Sequence, residues 1–522
     1  MSRFMSRAIE AGAGAPAGQG TFIPVRHKTL LTLAVMAGMT MQILDSTIAN
    51  VALPHIQAAL GGTQETIGWV LTSYIISSAV VLPALGWLGA HFGTRKVFVV
   101  SVIVFTAASA LCGLAQNIEQ LVFFRVLQGL GGAFISPLAQ TIMLDINPPE
   151  KRARAMGMFV QGIMLGPIAG PVLGGYLTEN FDWRWVFYVN VPIGIAAVFV
   201  LLATMPVFPA RGRRFDLFGW VAIAIAVAGL QLLLDRGASK DWFESTEILV
   251  WGALFLGAAW IFLVHMATNR DPLFPRELFR DRNFVVALGF SFLIGLVMLS
   301  VMALLPVLLQ SIYGYPAIQA GWLLTPRGVG VLLTMSIVTR IGDRLDTRVL
   351  MAAGLAIAAW SLHMMAGWGP KMPMRLIIIS GCIQGLGLGF AFTPINVLAF
   401  ATLPSHLRTD AAGLVNLCRN LGASFGIAAS SVLLARSIQV NHAEIAANLT
   451  REALPIDIDS MRRFNQLGDA GFAVLDGLVN QQAVMIGYIN DFHAMSIACL
   501  AAIPLVAFMR RAKAPAGARA QA

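Results

Sequence analysis

The feature that most constrains this chain is a succession of long apolar segments. A helix needs about twenty mostly apolar residues to cross the hydrocarbon core of a bilayer. Such segments lie near residues 30–53, 67–89, 97–115, 121–146, 155–178, 185–205, 217–234, 247–267, 284–309, 317–338, 349–368, 375–400, 411–435 and 492–509. We therefore predict an all-α membrane protein with fourteen transmembrane helices.

The composition supports a lipid environment. Of the 522 residues, 57% are hydrophobic and only 12% are charged, whereas soluble domains carry about 25% charged residues. A single globule of this size has too little interior to hide that much apolar surface, so the lipid bilayer is a predicted partner. The net charge of +10 is spread over short loops and forms no basic patch of the kind that binds nucleic acid, so no nucleic-acid partner is predicted.

The basic residues concentrate in every second loop, and this alternation predicts the orientation. Lys and Arg are enriched in cytoplasmic loops. The enriched loops carry Arg95 and Lys96, then Lys151, Arg152 and Arg154, then Arg211, Arg213 and Arg214, then Arg270, Arg276, Arg280 and Arg282, then Arg340, Arg344 and Arg348, and finally Arg408. Both termini are therefore predicted to be cytoplasmic.

An internal repeat relates two distant parts of the chain. A shift of 256 residues places Gln128–Gly131 on Gln384–Gly387 and Leu165–Gly166 on Leu421–Gly422. Such repeats are typical of secondary transporters, whose substrate site lies between two halves. The repeat relates the fourth and fifth segments to the twelfth and thirteenth, so two helices are inserted between the halves. The predicted division is a cytoplasmic tail 1–29, a six-helix half 30–205, an inserted pair 206–283, a second six-helix half 284–509 and a cytoplasmic tail 510–522.

The first segment contains an acid in an otherwise apolar helix. An ionised carboxylate at bilayer depth costs at least about 2.5–3.5 kcal/mol, so such residues usually serve a function. Gln42, Asp45, Ser46 and Asn50 recur at three to four residues and predict one polar stripe facing a central cavity. The alternative is an acid held permanently by a basic partner.

Further charges and breaks lie within other segments. Arg327 and Arg419 could attract anionic substrates or could bond exposed backbone carbonyls. The fifth segment carries Pro167 and Pro171, which remove backbone donors and bend a helix. It also has glycine at every fourth position, at Gly162, Gly166, Gly170 and Gly174. Such a stripe permits close helix contact, and together with the prolines it predicts a moving seam between the halves. Plain helix packing would explain the glycines alone.

Several motifs resemble those of the major facilitator superfamily, and within it the drug:proton antiporters with fourteen spans. Leu44–Pro54 is similar to that family's signature in the first span, Phe124–Gly129 to the superfamily's arginine motif, and Gly166–Gly175 to the antiporter motif of exporters. Leu234–Gly237 and Asp241–Phe243 resemble the EmrB-like branch, the inner-membrane pumps of tripartite Gram-negative efflux systems. The strings Trp183–Phe187 and Asn190–Gly194 fit the same family.

The resemblance implies a major facilitator fold and a proton-coupled antiporter that exports hydrophobic or amphipathic drugs and toxic compounds. In the family, the arginine of the fourth span faces the first span. This implies that Arg125 pairs with Asp45 and that Asp45 carries the coupling proton. The expected substrate cavity comprises Gln42, Ser46, Asn50, Gln128, Arg327 and Arg419. A dedicated exporter of one metabolite, such as a siderophore, fatty acid or antibiotic, is the alternative.

The loop after the second span departs from the family pattern. The resemblance assigns gating to Gly86, Gly93 and Arg95, but Ala90 stands where the family has an aspartate. The family's charge contact from that position is therefore lost. The equivalent loop of the second half retains an acid, and its predicted gating residues are Asp343 and Arg344. Pro167, Pro171, Gly166 and Gly170 are further predicted gating residues of the fifth span.

The remaining predictions concern partners and location. The loop at about 436–490 is expected to lie in the periplasm, where an amphipathic helix could dock an adaptor protein that leads to an outer-membrane channel. The chain shows no nucleotide-binding fingerprint and no nucleophile–base pair or metal cluster. We therefore predict neither an enzyme nor a metal or cofactor site, but a transporter of the bacterial inner membrane driven by the proton gradient.

Overall fold

The computed structural model describes residues 23–148, 151–207, 212–237, 239–341, 346–448 and 469–509, and all regular structure in these ranges is helical. Within these ranges there are fourteen long helical segments, α1 to α14. They are α1 Lys28–Leu60, α2 from Gln64–Val81 through Leu85–Phe92, α3 Thr94–Leu114, α4 from Ile118–Gly132 through Ile135–Asp145, α5 Arg152–Asn180, α6 from Trp185–Tyr188 through Asn190–Thr204, α7 Leu217–Gly237, α8 Thr246–Thr268, α9 Arg282–Ser311, α10 Ala317–Ile341, α11 Thr347–Ala366, α12 Met374–Ala401, α13 Arg408–Asn448 and α14 Asp469–Ala502.

The lengths and compositions of these helices fit a membrane protein. Among the described residues, twelve of the helical segments are long and apolar enough to cross a bilayer. The other two, α5 and α10, have 29 and 25 residues and pack against each other inside the bundle. The all-helical fold is confirmed, and the count of fourteen spans stays a prediction for α5 and α10.

The internal repeat predicts two related halves, and the helix packing has this arrangement. In the first half, α1 packs on α5 and α6, whereas α4 packs on α2 and α3. In the second half, α9 packs on α13 and α14, and α12 packs on α10 and α11 in the same way. The halves meet through two equivalent pairs, α5 with α10 and α2 with α13.

The inserted helices α7 and α8 form a pair at the side of the bundle. α7 packs on α8, and it also contacts α2 of the first half and α13 of the second. In the most apolar 18-residue stretch of α8, only 6% of the residues are buried within the protein. Its apolar side chains, including Leu256, Trp260 and Leu263, are exposed, as expected of a helix that faces lipid.

Tight connections define one end of the bundle. Gly93 alone separates α2 from α3, and its φ of +84° lies in the region that only glycine adopts readily. The same end includes the linker before α7 and the connection from α12 to α13. We call it the basic end, because it carries the loops in which the sequence concentrates Lys and Arg.

The segment predicted as a loop at 436–490 is largely helical where the structure describes it. α13 continues to Asn448 and α14 begins at Asp469, so the last span predicted from residue 492 starts inside a longer helix. The amphipathic helix expected near residues 472–485 is the first part of α14. Helices can continue beyond a bilayer because their backbone hydrogen bonds are satisfied internally. Residues 449–468 of the predicted loop lie outside the described residues.

Candidate functional site

A fully buried ion pair lies at the centre of the first half. The Nη1 atom of Arg125 on α4 is 2.7 Å from Oδ2 of Asp45 on α1, and both side chains are 0% exposed. The other carboxylate oxygen, Oδ1, accepts hydrogen bonds of 2.8 Å from Nε2 of Gln128 and from Nδ2 of Asn190. The carboxylate therefore has a cation and two neutral donors, which together favour its ionised form.

The guanidinium of Arg125 is held on several sides. Its Nε donates to the backbone oxygen of Val70 at 3.0 Å, and its Nη1 also donates to Oε1 of Gln128 at 2.8 Å. The ring of Tyr74 lies 4.4 Å from the guanidinium carbon, close enough for a cation–π interaction. Nη2 is buried without a hydrogen-bond partner among the described residues.

The network extends to two helices that the sequence did not assign to the site. Asn190 of α6 also donates to Oγ of Ser109 on α3 at 3.0 Å, and Ser109 donates to the backbone oxygen of Phe187 at 2.9 Å. The signal for Asn190 was present, because it is a polar residue near the start of an apolar helix and part of a family-like string. Its contact with Asp45 depends on the packing of α6 against α1.

The polar residues of α1 do not share one environment, which differs from the predicted stripe. Asp45 points into the first half, whereas Asn50 is exposed. Ser46 is half-buried and donates to the backbone oxygen of Ile43 in its own helix at 2.8 Å. Gln42 donates to the hydroxyl of Tyr74 at 3.4 Å. Asp45 and Ser46 are adjacent in sequence and so point about 100° apart around the helix.

The two arginines of the second half retain free donors among the described residues. Arg327 on α10 is 4% exposed, and its Nε and Nη2 have no hydrogen-bond partner. Arg419 on α13 donates from Nη2 to the side-chain oxygen of Asn416, and its Nη1 has no partner. The guanidinium of Arg419 lies 5.6 Å from the ring of Phe392. Neither arginine contacts the Asp45 cluster, and neither is shown bonding a backbone carbonyl.

The glycine stripe of α5 packs within the first half, so its predicted place at the seam between halves is wrong. A Cβ at Gly166 would meet Ile43, and one at Gly170 would meet Thr47, both on α1. Thr47 donates to the backbone oxygen of Gly166 at 3.1 Å across this contact. Another part of α5 reaches the second half, where Pro171 lies against Gly321 of α10. The side chain of Pro167 lies outside the described part of the structure.

At the basic end, the predicted gating loop meets the second half. A Cβ on Gly86 would overlap the carboxylate of Asp410 on α13, and that carboxylate accepts a 2.9 Å bond from Nη1 of Arg213. Trp87 donates to the backbone oxygen of Arg213 at 2.9 Å. An acid from the other half thus packs against the loop in which Ala90 replaces the family aspartate.

The other predicted gating residues have separate positions. Arg95 donates from Nη2 to the backbone oxygen of Leu202 at 2.7 Å, so it ties α3 to α6 within the first half. Gly93 forms the sharp connection between α2 and α3. Asp343 and Arg344 lie outside the described residues.

Further contacts between the halves gather near the basic end, and none of them was predicted. Arg408 of α13 forms a salt bridge with Asp145 of α4. Gln140 of α4 donates to Oδ1 of Asn396 on α12 at 2.6 Å and accepts from Nδ2 of Asn416 at 3.3 Å. These residues are about 260 positions apart in sequence, so only the tertiary structure brings them together. The basic end is therefore closed by polar contacts between the halves.

The fold and the buried site can be compared with known proteins. The sequence pattern of the Major Facilitator Superfamily matches residues 35–427. The chain belongs to this superfamily. Its members are transporters, so this membership confirms the resemblance and the fold class predicted from the motifs and the repeat.

Curated relatives within the superfamily cover nearly the whole chain. The multidrug export protein EmrB of Haemophilus influenzae is 32% identical over 94% of this chain and 96% of its own length. EmrB of Escherichia coli strain K12 is 33% identical over 88% of each chain. The fatty acid resistance protein FarB of Neisseria gonorrhoeae is 30% identical over 91% of this chain and 95% of its own length.

Solved transporters of low sequence identity share the fold. A bacterial homologue of the human lysosomal transporter Spinster has a TM-score of 0.55 at 16% identity, covering 93% of this chain and 98% of its own. The human organic anion transporter MFSD10 has a TM-score of 0.56 at 11% identity, covering 91% and 99%. These similarities support the major facilitator fold of the chain.

Proposed function

We propose that this superfamily member is a multidrug efflux permease that exports hydrophobic or amphipathic compounds in exchange for protons. The observation that carries the proposal is the buried pair of Asp45 and Arg125, because a membrane carboxylate with a switchable partner suits proton exchange. The relatives named multidrug export proteins support export as the direction of transport.

The coupling step is a change in the charge of Asp45. In the present arrangement the carboxylate is ionised, with Arg125, Gln128 and Asn190 as donors. A proton on Asp45 removes the charge attraction to Arg125 and one acceptor from the network. Because electrostatic interactions are strong in a low-dielectric interior, this change favours a rearrangement of α1 against α4 and α6.

Alternating access then depends on whether the contacts between the halves at the basic end are formed or broken. The Arg408–Asp145 and Arg213–Asp410 pairs close the basic end, which we propose faces the cytoplasm. Export requires these pairs to separate when the cavity opens inward to accept substrate. Each proton that enters down a potential of 100 mV supplies about 2.3 kcal/mol to this cycle.

The proposed location is the bacterial inner membrane, with both termini in the cytoplasm. The support is the alternation of basic loops, which places the basic end on the cytoplasmic side. In this orientation the ends of α13 and α14 around Asn448 and Asp469 extend into the periplasm. A periplasmic adaptor protein and an outer-membrane channel are the proposed partners of this extension.

A dedicated exporter of one amphipathic acid is the second candidate. The unpartnered donors of Arg327 and Arg419 could bind an anionic head group, and FarB is a relative whose name refers to fatty acid resistance. A panel of neutral, cationic and anionic compounds separates the two candidates, because only the dedicated exporter would be confined to anions.

The test is drug-driven proton flux in liposomes that contain the purified protein. Asp45→Asn should lose coupled flux while retaining its fold, because the amide cannot exchange a proton. Asp182→Asn is the matched control, since Asp182 is half-exposed and, among the described residues, its ion pair is with Arg184 of the same loop. Transport by Asp45→Asn at the wild-type rate would rule out the proposed role of Asp45.

A further inference from the structure

A second acid is buried in the other half of the protein. Asp491 on α14 is 1% exposed, and neither of its carboxylate oxygens has a hydrogen-bond partner among the described residues. Asp45, by comparison, has three donors around its carboxylate. The last span predicted from the sequence begins at residue 492, which places Asp491 at the membrane interface, but a side chain at an interface is exposed to water or to lipid head groups.

The surroundings of Asp491 are apolar. The neighbouring positions on its own helix, Tyr488, Phe492 and Met495, belong to a buried cluster. The partners that α9 contributes to this cluster are Val297, Val301, Leu304, Leu305, Leu308 and Leu309. The carboxylate therefore lies where water is excluded and where no polar group replaces the water.

The helices that pack against α14 supply no counter-charge. α9 has no titratable side chain between Arg282 and its end at Ser311. On α13 the nearest cation is Arg436, beside Ser437, which accepts a 2.7 Å hydrogen bond from Asn490 of α14. The side chain of Arg436 is exposed, and Asp491 accepts no hydrogen bond from it. α11 offers only His363 near this level, and the centroid of its ring lies 5.6 Å from that of His493, with the two rings tilted by 56°.

The nearby groups on α14 itself do not replace a cation. His493 and His363 are both exposed at the surface of the bundle. Tyr488 lies one turn before Asp491, and its phenol is neutral and buried. Because an isolated ionised carboxylate in an apolar interior is disfavoured, these surroundings favour the protonated form of Asp491.

The two buried acids lie at matching depths in the two halves. Asp45 is seventeen residues from Lys28 at the start of α1, and Asp491 is seventeen residues from Phe508 at the end of the turn that follows α14. Lys28 and Phe508 are both at the basic end, where Phe508 lies against Arg282. Each acid is therefore roughly 26 Å from that end along its helix. Asp491 is therefore as far from the basic end as Asp45, the proposed coupling acid.

We propose that Asp491 is a second proton-binding site, which holds a proton in the conformation closed at the basic end and releases it when α14 moves relative to α9 and α11. The inference rests on the proposed function, because it adds one proton to the same transport cycle. Asp45 and Asp491 are in opposite protonation states in this conformation. One half therefore holds an ionised acid while the other holds a neutral acid.

The first experiment measures the proton-to-substrate ratio from the reversal potential in proteoliposomes. Asp491→Asn should transport with one proton fewer per substrate than the wild type, and its fold should be intact because asparagine resembles the protonated acid. Asp476→Asn is the matched control, since Asp476 is on the same helix and its side chain is 70% exposed. It should keep the wild-type ratio.

The second experiment uses infrared spectroscopy of the purified protein and does not depend on transport. The wild type should show the carbonyl band of a protonated carboxylic acid, and this band should be absent in Asp491→Asn but present in Asp476→Asn. A wild-type ratio in Asp491→Asn, or an unchanged carboxylic-acid band, overturns the inference. A wild-type protein that moves no protons with substrate overturns the proposed function instead, while the infrared band still reports the state of Asp491.

Discussion

Asp45 and Arg125 form the one ion pair in the described residues in which both side chains are wholly inaccessible to water. Removing two charges from water costs about as much as their attraction returns, so such a pair contributes little net stability. The surrounding donors change what happens when one partner is lost. If Arg125 is lost, Gln128 and Asn190 still donate hydrogen bonds to the Asp45 carboxylate. Arg125 itself donates three hydrogen bonds, one from Nε and two from Nη1.

Removing Arg125 alone should lower the stability of the fold more than removing the charges of both Arg125 and Asp45. Arg125→Ala leaves the Asp45 carboxylate buried without a cation, and this costs about 3–5 kcal/mol. The double variant Arg125→Ala/Asp45→Asn should recover part of that loss, since no charge remains. Thermal unfolding in detergent measures both.

The control for these single and double variants is Arg184→Ala. Arg184 and Asp182 form an exposed pair, for which the expected loss is at most about 1 kcal/mol. A double variant no more stable than Arg125→Ala would contradict the view that the unpaired carboxylate causes the loss.

Asp45 could be found from the sequence because an acid in an apolar span is conspicuous by itself. Asn190 and Ser109 could not be ranked in the same way, since amides and hydroxyls are common in membrane helices. For Asp491, the sequence reveals the acid but not its burial. Its sequence position near the predicted end of a span indicated the interface, but α14 extends far enough in the N-terminal direction to place it inside the protein.

At the scale of helices, the packing of α1 on α5 depends on small residues. The glycines of α5 lie against Ile43, Thr47 and Val51, and each removes the side-chain atoms that would hold the helices apart. The same stripe was expected at the moving seam. Spacing alone identifies a close-packed helix face, but it leaves open which neighbouring helix occupies that face.

A methyl group on this face should disrupt the first half. The Cβ of Gly170→Ala would lie 2.1 Å from Oγ1 of Thr47, so α1 and α5 must separate, at an expected cost of about 1–3 kcal/mol. Gly289→Ala on α9 is the matched control, because nothing lies within 4 Å of its Cβ position. Thermal stability in detergent should fall for the first variant and stay unchanged or rise for the second. Equal stability of the two variants would mean that the contact is loose.

At the scale of the whole molecule, the two halves meet closely at the basic end. Gly86 and Gly89 of α2 allow Asp410 and Thr409 of α13 to approach the first half. Arg213, in the linker before the inserted pair, bonds Asp410 and also the backbone oxygens of Pro272 and Leu273 after that pair. The inserted helices are therefore connected to the contact that must open during transport.

A disulfide across this contact should stop transport. The Cβ position of Gly89 lies 3.7 Å from Cβ of Thr409, within the range of a disulfide. In a background without the four native cysteines, Gly89→Cys/Thr409→Cys should cross-link under oxidation, lose transport and regain it on reduction. Each single cysteine variant should be insensitive to oxidant. Transport at the wild-type rate by the cross-linked protein would show that the basic end need not open.

The sequence by itself determined the helical membrane fold, the two related halves and the inserted pair, and it singled out Asp45 as an acid within a span. These follow from hydropathy, repetition and a single costly charge, which are local properties of the chain. Only the tertiary structure decided that Asn190 and Gln128 share the Asp45 carboxylate, that the α5 glycines face α1, and that Asp410 meets Gly86. Such contacts join residues far apart in sequence, and their geometry depends on how each helix is rotated and packed against its neighbours.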